Sequence, residues 1–379
     1  MAYEIGLCQL LLCARLARME SRPMTMLSKE TVAQRVTPGR IRWFRKEVHA
    51  VRGPEPIAVV RKRRAEGETL APVVLVHGFG QNRYAWHMSN RSFANYLADR
   101  GFDVFNVDLR GHGRSKKLGS AQSRGIDDYI RGDVPAVLDE VLSLSGFAKA
   151  FFVGHSLGGL CAAAASARRP DKVAGVVTIG SPHALGRGHF VLGNGLRLLG
   201  HTVGSVGMFR GSQRRFRVDL IGKAVHATRF AFDSRFAPIP VRGWKPGAFE
   251  DGELANYLRS FDAESFSTVD DMILLAMTGE LRSRIDGTSY TRLIEHSELP
   301  LLALSGASDL LANPGAVKPL FERSRARDKQ YIKVDAGHGD LLVGRQAPDE
   351  VWPVVGNWLW ARREAVLTHR LAKPALLAG

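Results

Sequence analysis

Short runs of apolar residues alternate with amphipathic stretches between residues 72 and 182, and most of the apolar runs end in a glycine-containing turn. The runs are Pro72–Val76, Phe102–Val107, Phe151–Gly154 and Val173–Ile179. The stretches between them, such as Phe93–Arg100 and Ile126–Leu144, have the apolar spacing of helices. Continuous apolar runs are typical of parallel strands covered on both faces. The pattern therefore predicts an α/β fold with a mostly parallel central sheet and helices on both faces.

A predicted hairpin precedes this alternation of strands and helices, and the alternation resumes late in the chain. Two β-prone pieces between residues 48 and 63 are separated by the turn residues at 53–56. Further strands and helices are predicted at Leu299–Ser305, Gly315–Ser324, Gln330–Val334 and Val351–Arg363. The roughly 115 residues between the two parts are too many for a connecting loop, which indicates an inserted cap. The predicted domains are a basic N-terminal extension (1–46), an α/β core in two parts (47–182 and 299–379) and a cap (183–298).

Composition is that of an ordinary globular protein, with 45% hydrophobic and 24% charged residues. Three cysteines are too few for a disulfide framework, which favours a reducing compartment. The apolar run at 5–14 is followed, not preceded, by arginines, so it does not predict a secretory signal, and whether it serves targeting or packing stays open. We expect a cytoplasmic protein, with membrane association as an alternative.

The formal net charge of +16 is unevenly distributed. Basic residues outnumber acidic ones by 14 to 5 in residues 1–64 and by 11 to 2 in 183–245, whereas 246–290 holds 3 basic and 9 acidic residues. Such clusters allow non-specific attraction to an anionic surface, such as peripheral contact with an anionic membrane, or form a solvated face, and no motif accompanies them that predicts specific nucleic-acid binding. Within the cap, the glycine-rich, apolar segment 189–211 suggests a mobile lid that meets lipid. The stretch Leu254–Leu281 looks helical and acidic.

A serine lies at the junction of a predicted strand and helix, in the sequence Gly154-His155-Ser156-Leu157-Gly158. A serine at the apex of such a turn is exposed at the carboxyl end of the sheet. The flanking glycines are needed because a Cβ would collide with the neighbouring strand or helix. We therefore expect Ser156 to be a nucleophile.

A serine hydroxyl needs a base to remove its proton, and the base needs an acid that orients it. Asp309 follows the strand that starts at Leu299, and His338 follows the next strand, so the order along the chain is serine, acid, histidine, as in α/β-hydrolases. Asp340 is the competing acid, although it lies only two residues from His338. The structural alternatives are a helix N-cap for Asp309 and a surface-loop histidine for His338.

Backbone N–H groups of Phe79 and Leu157 are the expected oxyanion donors, because each follows a strand at the same edge of the sheet. The residues expected to support these turns are His77, Gly78, Gly154, His155 and Gly158. No metal-ligand spacing, phosphate loop or dinucleotide motif is found, so neither a metal nor a cofactor is expected.

These motifs resemble those of α/β-hydrolases, and among these the chain is similar to the acid lipase group of lysosomal and gastric lipases. The similarity covers most of residues 47–182 and 299–360, with the segments NRSF, VGHSLGG, SGASDLLANP and GHGDLLVG. The resemblance implies hydrolysis of a carboxylic ester by Ser156, with Asp309 and His338 as partners. Leu157 stands where those lipases usually have glutamine.

The sequence thus predicts a serine hydrolase that cleaves a small-molecule or lipid ester through an acyl-enzyme intermediate. One alternative is acyl transfer to an acceptor other than water, or action on polyesters. Another is a non-catalytic homologue that only binds a ligand. The natural substrate and the oligomeric state are left open by the sequence.

Overall fold

The computed structural model of the protein describes residues 25–188, 193–195, 198, 214–228, 243–250 and 252–367. The apolar run at 5–14 and almost all of the predicted lid at 189–211 lie outside these residues. Within the described ranges, no helix is both long enough and apolar enough to cross a lipid bilayer.

A nine-stranded sheet forms the centre of the described structure, and a small two-stranded sheet lies in the cap region. The strands are β1 (Thr25–Thr37), β2 (Arg40–Arg52), β3 (Pro56–Arg64), β4 (Pro72–Val76), β5 (Asp103–Asp108), β6 (Ala150–His155), β7 (Val173–Ile179), β8 (Arg215–Phe216), β9 (Glu264–Ser265), β10 (Leu301–Gly306) and β11 (Lys329–Val334). The central order is β1-β2-β3-β5-β4-β6-β7-β10-β11. Strands β1, β2, β3 and β5 pair antiparallel in turn, and the pairs from β5 to β11 are parallel.

The described residues form twelve α-helices, several of which cover the two faces of this sheet. They are α1 (Phe93–Asp99), α2 (Gly113–Lys117), α3 (Val134–Ser145), α4 (Leu157–Arg168), α5 (Val218–Ala227), α6 (Glu253–Leu258), α7 (Phe266–Thr278), α8 (Tyr290–His296), α9 (Pro314–Arg323), α10 (Asp340–Val343), α11 (Ala347–Glu350) and α12 (Trp352–Leu367). A 3₁₀ turn spans Arg83–Trp86, and a π-helical segment spans Asp128–Asp133.

The buried side chains of one strand alternate between two hydrophobic layers, as the pleat requires. Phe151 and Val153 of β6 pack in the layer that α1 and α12 cover, whereas Phe152 packs in the layer that α3, α4 and α9 cover. All three side chains are fully buried. The predicted α/β fold, with its mostly parallel sheet between helical layers, is confirmed.

The sheet begins before residue 47, where the sequence predicts the start of the core. Strand β1 lies entirely inside the predicted basic extension 1–46, and residue 47 falls within β2. The exposed, mostly polar pattern of β1 gave no hydrophobic signal, because β1 is an edge strand with little buried surface. The predicted hairpin at 48–63 is present as the antiparallel pair β2 and β3.

Two predicted helices are interrupted. The stretch Ile126–Leu144 contains the π-helical segment before α3, where Pro135 lacks the N–H that a continuous α-helix would use. The acidic stretch Leu254–Leu281 divides into α6 and α7, with β9 between them. Phe216 and Glu264 pair in the small sheet, and this pairing breaks the helical course.

A buried ion pair links the antiparallel and parallel parts of the central sheet. Arg61 of β3 donates from Nε to Oδ1 of Asp103 at 2.8 Å and from Nη2 to Oδ2 at 2.6 Å. Both side chains are almost fully buried, and Glu47 lies 3.4 Å from Nη1 of the same guanidinium. Bidentate geometry satisfies both carboxylate oxygens, which offsets the desolvation of the two charges.

We expect Asp103→Ala to lower the free energy of unfolding by about 3–5 kcal/mol, because it leaves the Arg61 charge buried without its main partner. The double variant Arg61→Met/Asp103→Leu should recover most of this loss, since no unpaired charge remains. Urea denaturation of the purified variants measures both values. Glu30→Ala, which breaks the exposed pair of Glu30 with Lys46, is the control and should change stability little. Wild-type stability of Asp103→Ala would contradict the role given to the ion pair.

Candidate active site

The nucleophile candidate Ser156 lies at a sharp turn between β6 and α4. Its φ of 52° makes it the single non-glycine residue with positive φ among the residues that the structure describes. Its N–H donates to the carbonyl of Ile179 at 2.9 Å, which fixes the turn against β7. A strained conformation of this kind persists only where the surrounding structure holds it.

The glycines around this serine are required by close backbone contacts. A Cβ on Gly158 would lie 2.1 Å from the carbonyl oxygen of His77, and a Cβ on Gly154 would lie 2.4 Å from Cα of Gly159. No side chain fits at such distances, so the helix approaches the end of β4 only because these positions are glycine. The contact brings the start of α4 beside the turn that follows β4.

Asp309 and His338 meet at the carboxyl ends of β10 and β11. The distance between Nδ1 of His338 and Oδ2 of Asp309 is 2.7 Å, and both side chains are buried. The other carboxylate oxygen of Asp309 accepts N–H bonds from Leu311 at 2.8 Å and Ala312 at 2.7 Å. The aspartate is thus fixed by its own loop, while the N-cap of α9 is Asn313. An Nδ1–H that donates to Asp309 leaves Nε2 of His338 with a free lone pair.

The competing acid, Asp340, is engaged elsewhere. Its Oδ2 accepts the N–H of Gly337 at 2.8 Å, and its Oδ1 accepts the N–H of Lys245 at 3.3 Å. Burial raises the pKa of this carboxyl to about 6. Asp340 therefore braces the loop that carries His338 and connects it to residue 245 of the cap region.

The two expected oxyanion donors lie at the same end of the sheet. Leu157 opens α4, where the first N–H groups have no partner within the helix. On either side of Phe79, the N–H of Gly78 donates to Oε1 of Gln81 at 3.1 Å and that of Gly80 donates to Oε2 of Glu264 at 3.2 Å. These bonds hold the turn on both sides of the Phe79 N–H group.

Two histidines lie behind these turns. His77 accepts the N–H of Leu109 at Nε2, at 3.0 Å, so Nδ1 carries the proton and faces the carbonyl of Gly78 at 3.0 Å. Burial and the neighbouring His112 lower the pKa of His77 to about 4, which keeps the ring neutral. His155 lies between Oε1 of Gln81 at 3.0 Å and the carbonyl of His338 at 3.2 Å. Burial holds the pKa of His155 well below its ordinary value.

A buried glutamate that no sequence motif indicates, Glu264, connects the predicted cap to the turn that carries Phe79. Besides the N–H of Gly80, Glu264 accepts the Tyr129 hydroxyl at 2.8 Å and the N–H of Ser265 at 2.9 Å, both at Oε1. Its Oε2 lies 3.5 Å from Nε2 of His112. Burial alone would raise the pKa of Glu264, but His112 and the hydrogen bonds hold it below its ordinary value. No local sequence pattern indicates this role, because the residue stands in a stretch rich in acidic residues.

Further bonds fasten the cap to the same turn. The N–H of Asp262 donates to the carbonyl of Gly80 at 2.7 Å, and Oδ2 of Asp262 accepts from Nδ2 of Asn82 at 2.9 Å. Gln81 also forms an isolated antiparallel bridge with Phe261. The segment 261–264 of the cap is therefore bonded directly to the turn that holds the Phe79 N–H.

A cavity of about 430 Å³ opens onto Ser156 and His338, and its walls are mostly apolar. The lining includes Phe79, Pro182, Leu185, Phe216, Val218, Trp244, Phe261, Val269, Met272, Ile273 and Leu311. Residues of the core supply one side, and residues of the predicted cap supply the other. Within the described part of the chain, no three histidine, cysteine or carboxylate side chains are grouped as metal ligands would be.

The alpha/beta hydrolase fold family matches residues 71–344, and the chain belongs to this family. Solved structures agree on the fold. The monoacylglycerol lipase of Paleococcus ferrophilus superposes with a TM-score of 0.50 at 19% identity, over 81% of this chain and 99% of that one. The enol-lactonase of Burkholderia xenovorans LB400 gives 0.51 at 19% identity, over 80% and 96%. At these identities the likeness concerns the fold alone.

Curated relatives include an epoxide hydrolase and an esterase. Epoxide hydrolase B of Mycobacterium tuberculosis is 40% identical over 116 residues, which are 31% of this chain and 30% of the relative. A pimeloyl-[acyl-carrier protein] methyl ester esterase of Sodalis glossinidius is 26% identical over 71% of this chain and 87% of its own length. The chain thus spans less than a third of the epoxide hydrolase. The resemblance to acid lipases finds no support among these relatives, whereas membership of the superfamily is confirmed.

We expect Gly158→Ala to destabilise the protein by about 3 kcal/mol or more, or to prevent soluble expression, because the new methyl group would overlap the His77 carbonyl. Thermal unfolding of the purified protein measures the effect. Gly243→Ala is the matched control, since a Cβ there meets no described atom within 4 Å. Equal melting temperatures of the two variants would show that the start of α4, next to the turn at Ser156, tolerates a side chain at position 158.

Proposed function

We propose that the protein is a serine hydrolase that cleaves carboxylic esters with an apolar acyl or alcohol group through an acyl-enzyme intermediate. The observation that carries the proposal is the pairing of His338 with Asp309 beside the strained turn of Ser156, at the wall of an apolar cavity. An apolar cavity of this size favours a substrate whose reacting ester is flanked by hydrocarbon.

In the proposed mechanism, Nε2 of His338 removes the proton of the Ser156 hydroxyl as Oγ attacks the ester carbonyl. The carbonyl oxygen becomes an oxyanion, which accepts hydrogen bonds from the N–H groups of Phe79 and Leu157. The intermediate then collapses, the C–O bond to the alcohol breaks, and His338 gives its proton to the departing alkoxide. Asp309 keeps the Nδ1–H tautomer and stabilises the transient imidazolium.

A water molecule then repeats the sequence on the acyl-enzyme. His338 takes a proton from this water, the hydroxide adds to the acyl carbon, and collapse of the second oxyanion releases the carboxylic acid. The serine recovers its proton from His338 at the end. Both halves use the same base and the same oxyanion donors, so no further cofactor takes part in the scheme.

The residue type at position 156 favours esters over epoxides. If a serine oxygen opened an epoxide, the product would be an ether, which has no carbonyl for water to attack. The enzyme would stay alkylated after one event. A carboxylate nucleophile would avoid this end point, but the turn carries serine. Ester cleavage also matches the activity in the name of the Sodalis relative.

Three expectations from the sequence stay predictions beside this proposal. A lipid ester as the substrate is one of them. A cytoplasmic location, with peripheral contact to an anionic membrane, is the second. Acyl transfer to an alcohol in place of water is the third, and analysis of the products formed with added alcohol would detect it.

The alternative from another class is a non-catalytic homologue that only binds a ligand. Such a protein would not react with a fluorophosphonate probe.

We expect Ser156→Ala to lower kcat for p-nitrophenyl esters on the order of 10⁶-fold, because the variant lacks the oxygen that forms the proposed acyl-enzyme. Fluorophosphonate labelling should disappear in the same variant. Ser166→Ala, which removes the buried hydroxyl of a serine within α4, is the control and should retain both activities. Full hydrolysis by the Ser156 variant would overturn the proposed function.

Glu264→Gln should lower kcat by about tenfold with little change in KM. The amide NH₂ of glutamine would face the N–H of Gly80 or the hydroxyl of Tyr129, both of which donate to Glu264. The turn that presents the Phe79 N–H would therefore shift. The effect should be smaller than the roughly 10²–10³-fold loss of a direct oxyanion donor. Steady-state kinetics with a p-nitrophenyl ester measures both constants. Glu253→Gln, another cap glutamate that contacts Ser89 at the surface, is the control. An unchanged kcat would show that Glu264 does not position the turn.

A further inference from the structure

A second pocket, of about 200 Å³, lies on the N-terminal part of the sheet and shares no lining residue with the catalytic cavity. Four basic side chains line it, and we refer to it as the basic pocket. The lining consists of Lys46, Lys62, Arg83 and Arg114 with Gln34, Val60, Tyr84, His87 and Asn106. The residues come from β1, β2, β3 and β5, the 3₁₀ turn and its following residue, and α2.

Lys62 is the unusual member of this set, because its amine is buried without a counter-ion. The residue is only 4% exposed. Its Nζ donates to Oε1 of Gln34 and to Oδ1 of Asn95, both at 2.7 Å, and lies 3.4 Å from Nδ1 of His87. All three partners are neutral or basic, and Lys62 forms no ion pair with any described residue. A buried charge of this kind is costly unless an opposite charge accompanies it.

The neighbouring charges leave the basic pocket with a surplus of positive charge. Arg83 is paired with Asp108 at 2.5 Å, and Lys46 is paired with Glu30 at 2.6 Å. Arg114 lies within the described residues and forms no ion pair with any of them. Burial, together with Lys46 and Arg83, holds the pKa of the Lys62 amine well below its ordinary value, which is the response expected where an anion is lacking.

An unpaired polar atom at the wall of the pocket also indicates a ligand. Asn106 is 4% exposed, and its Nδ2 donates to the carbonyl of Arg83 at 3.0 Å. Its Oδ1 is buried and has no hydrogen-bond partner among the residues described. Buried polar atoms are normally paired, so this acceptor requires a donor, which the P–OH of a hydrogen phosphate would supply.

We propose that the basic pocket binds a phosphate group, with Lys62 and Arg114 as its principal partners. A phosphate monoester carries up to two negative charges and three terminal oxygens, which suits several cationic donors around one small pocket. A carboxylate has a single charge and two oxygens, and would leave part of the positive surplus unmatched. The inference concerns a site apart from Ser156 and does not depend on ester hydrolysis.

Two sources carry this chemistry, namely a free phosphorylated molecule and a lipid headgroup. A cavity of about 350 Å³ shares Gln34 and His87 with the basic pocket and extends to Ile41 on β2. Ile41 is 53% exposed. An exposed apolar side chain in this adjoining cavity could contact the acyl chains of a lipid whose headgroup occupied the basic pocket.

Titration calorimetry with inorganic phosphate tests the site directly. We expect saturable binding to the wild-type protein, and about tenfold or greater weakening in both Lys62→Met and Arg114→Gln, since charge-assisted hydrogen bonds are lost. Lys29→Met removes an exposed lysine of β1 that does not line the pocket, and should bind as the wild type does. Absence of binding to the wild type, or equal binding by all variants, would overturn the proposal.

Stability gives a second readout that a purely structural lysine would not produce. Without phosphate, Lys62→Met should melt close to the wild type, because removal of a buried uncompensated charge offsets the loss of its hydrogen bonds to Gln34 and Asn95. Phosphate should raise the melting temperature of the wild type but not of this variant. A large loss of stability in Lys62→Met, with an unchanged response to phosphate, would assign the lysine to packing and refute the site.

Vesicle flotation separates the two sources. Phosphatidylcholine vesicles that contain phosphatidic acid should capture the wild type if the phosphate comes from a lipid, and capture should fall in Lys62→Met but not in Lys29→Met. Binding of free phosphate without such capture would assign the pocket to a small phosphorylated molecule. Capture that is equal in all variants would show that lipid contact does not use the basic pocket.

Discussion

The left-handed backbone at Ser156 is the constraint around which the candidate site is built. It exists because Gly158 lets α4 approach the carbonyl of His77 at the end of β4 and because the Ser156 N–H is bonded to β7. Three neighbouring strands therefore fix one residue. The same contact sets the start of α4 against the turn after β4, so the nucleophile and both expected oxyanion donors share one rigid junction. Neither part can move alone without disturbing the other.

The cap contributes to this junction as well as to the cavity. Glu264 and Asp262 bond both the N–H and the carbonyl of Gly80, so the turn that presents Phe79 depends on residues almost two hundred positions later in the chain. A buried carboxylate is stable there because His112 and three hydrogen-bond donors surround it. Any movement of the segment 261–264 would therefore disturb the turn that presents Phe79, which couples the shape of the cavity to the chemistry proposed at Ser156.

Two neighbouring residues of β3 are both basic and buried, but they differ in their hydrogen-bond partners. Arg61 and Lys62 face opposite sides of the sheet, and both are almost fully buried. Arg61 has a bidentate carboxylate partner in Asp103, whereas Lys62 has only amide oxygens and an imidazole. The first arrangement is complete within the fold and holds the sheet together. The second lacks a negatively charged partner among the described residues, which is the physical basis for proposing that Lys62 binds an anionic ligand.

The sequence by itself determined the α/β fold and indicated Ser156, Asp309 and His338, because these depend on local patterns: continuous apolar runs, the glycines around a strand-to-helix turn, and polar residues that follow strands. It could not reveal β1, because an edge strand buries too little surface to leave an alternating hydrophobic pattern. It also could not identify Glu264 or the basic pocket. Only the tertiary structure decided these, since each depends on which side chains from distant parts of the chain pack together in the interior. The residue type alone does not show whether a glutamate or a lysine is buried or exposed.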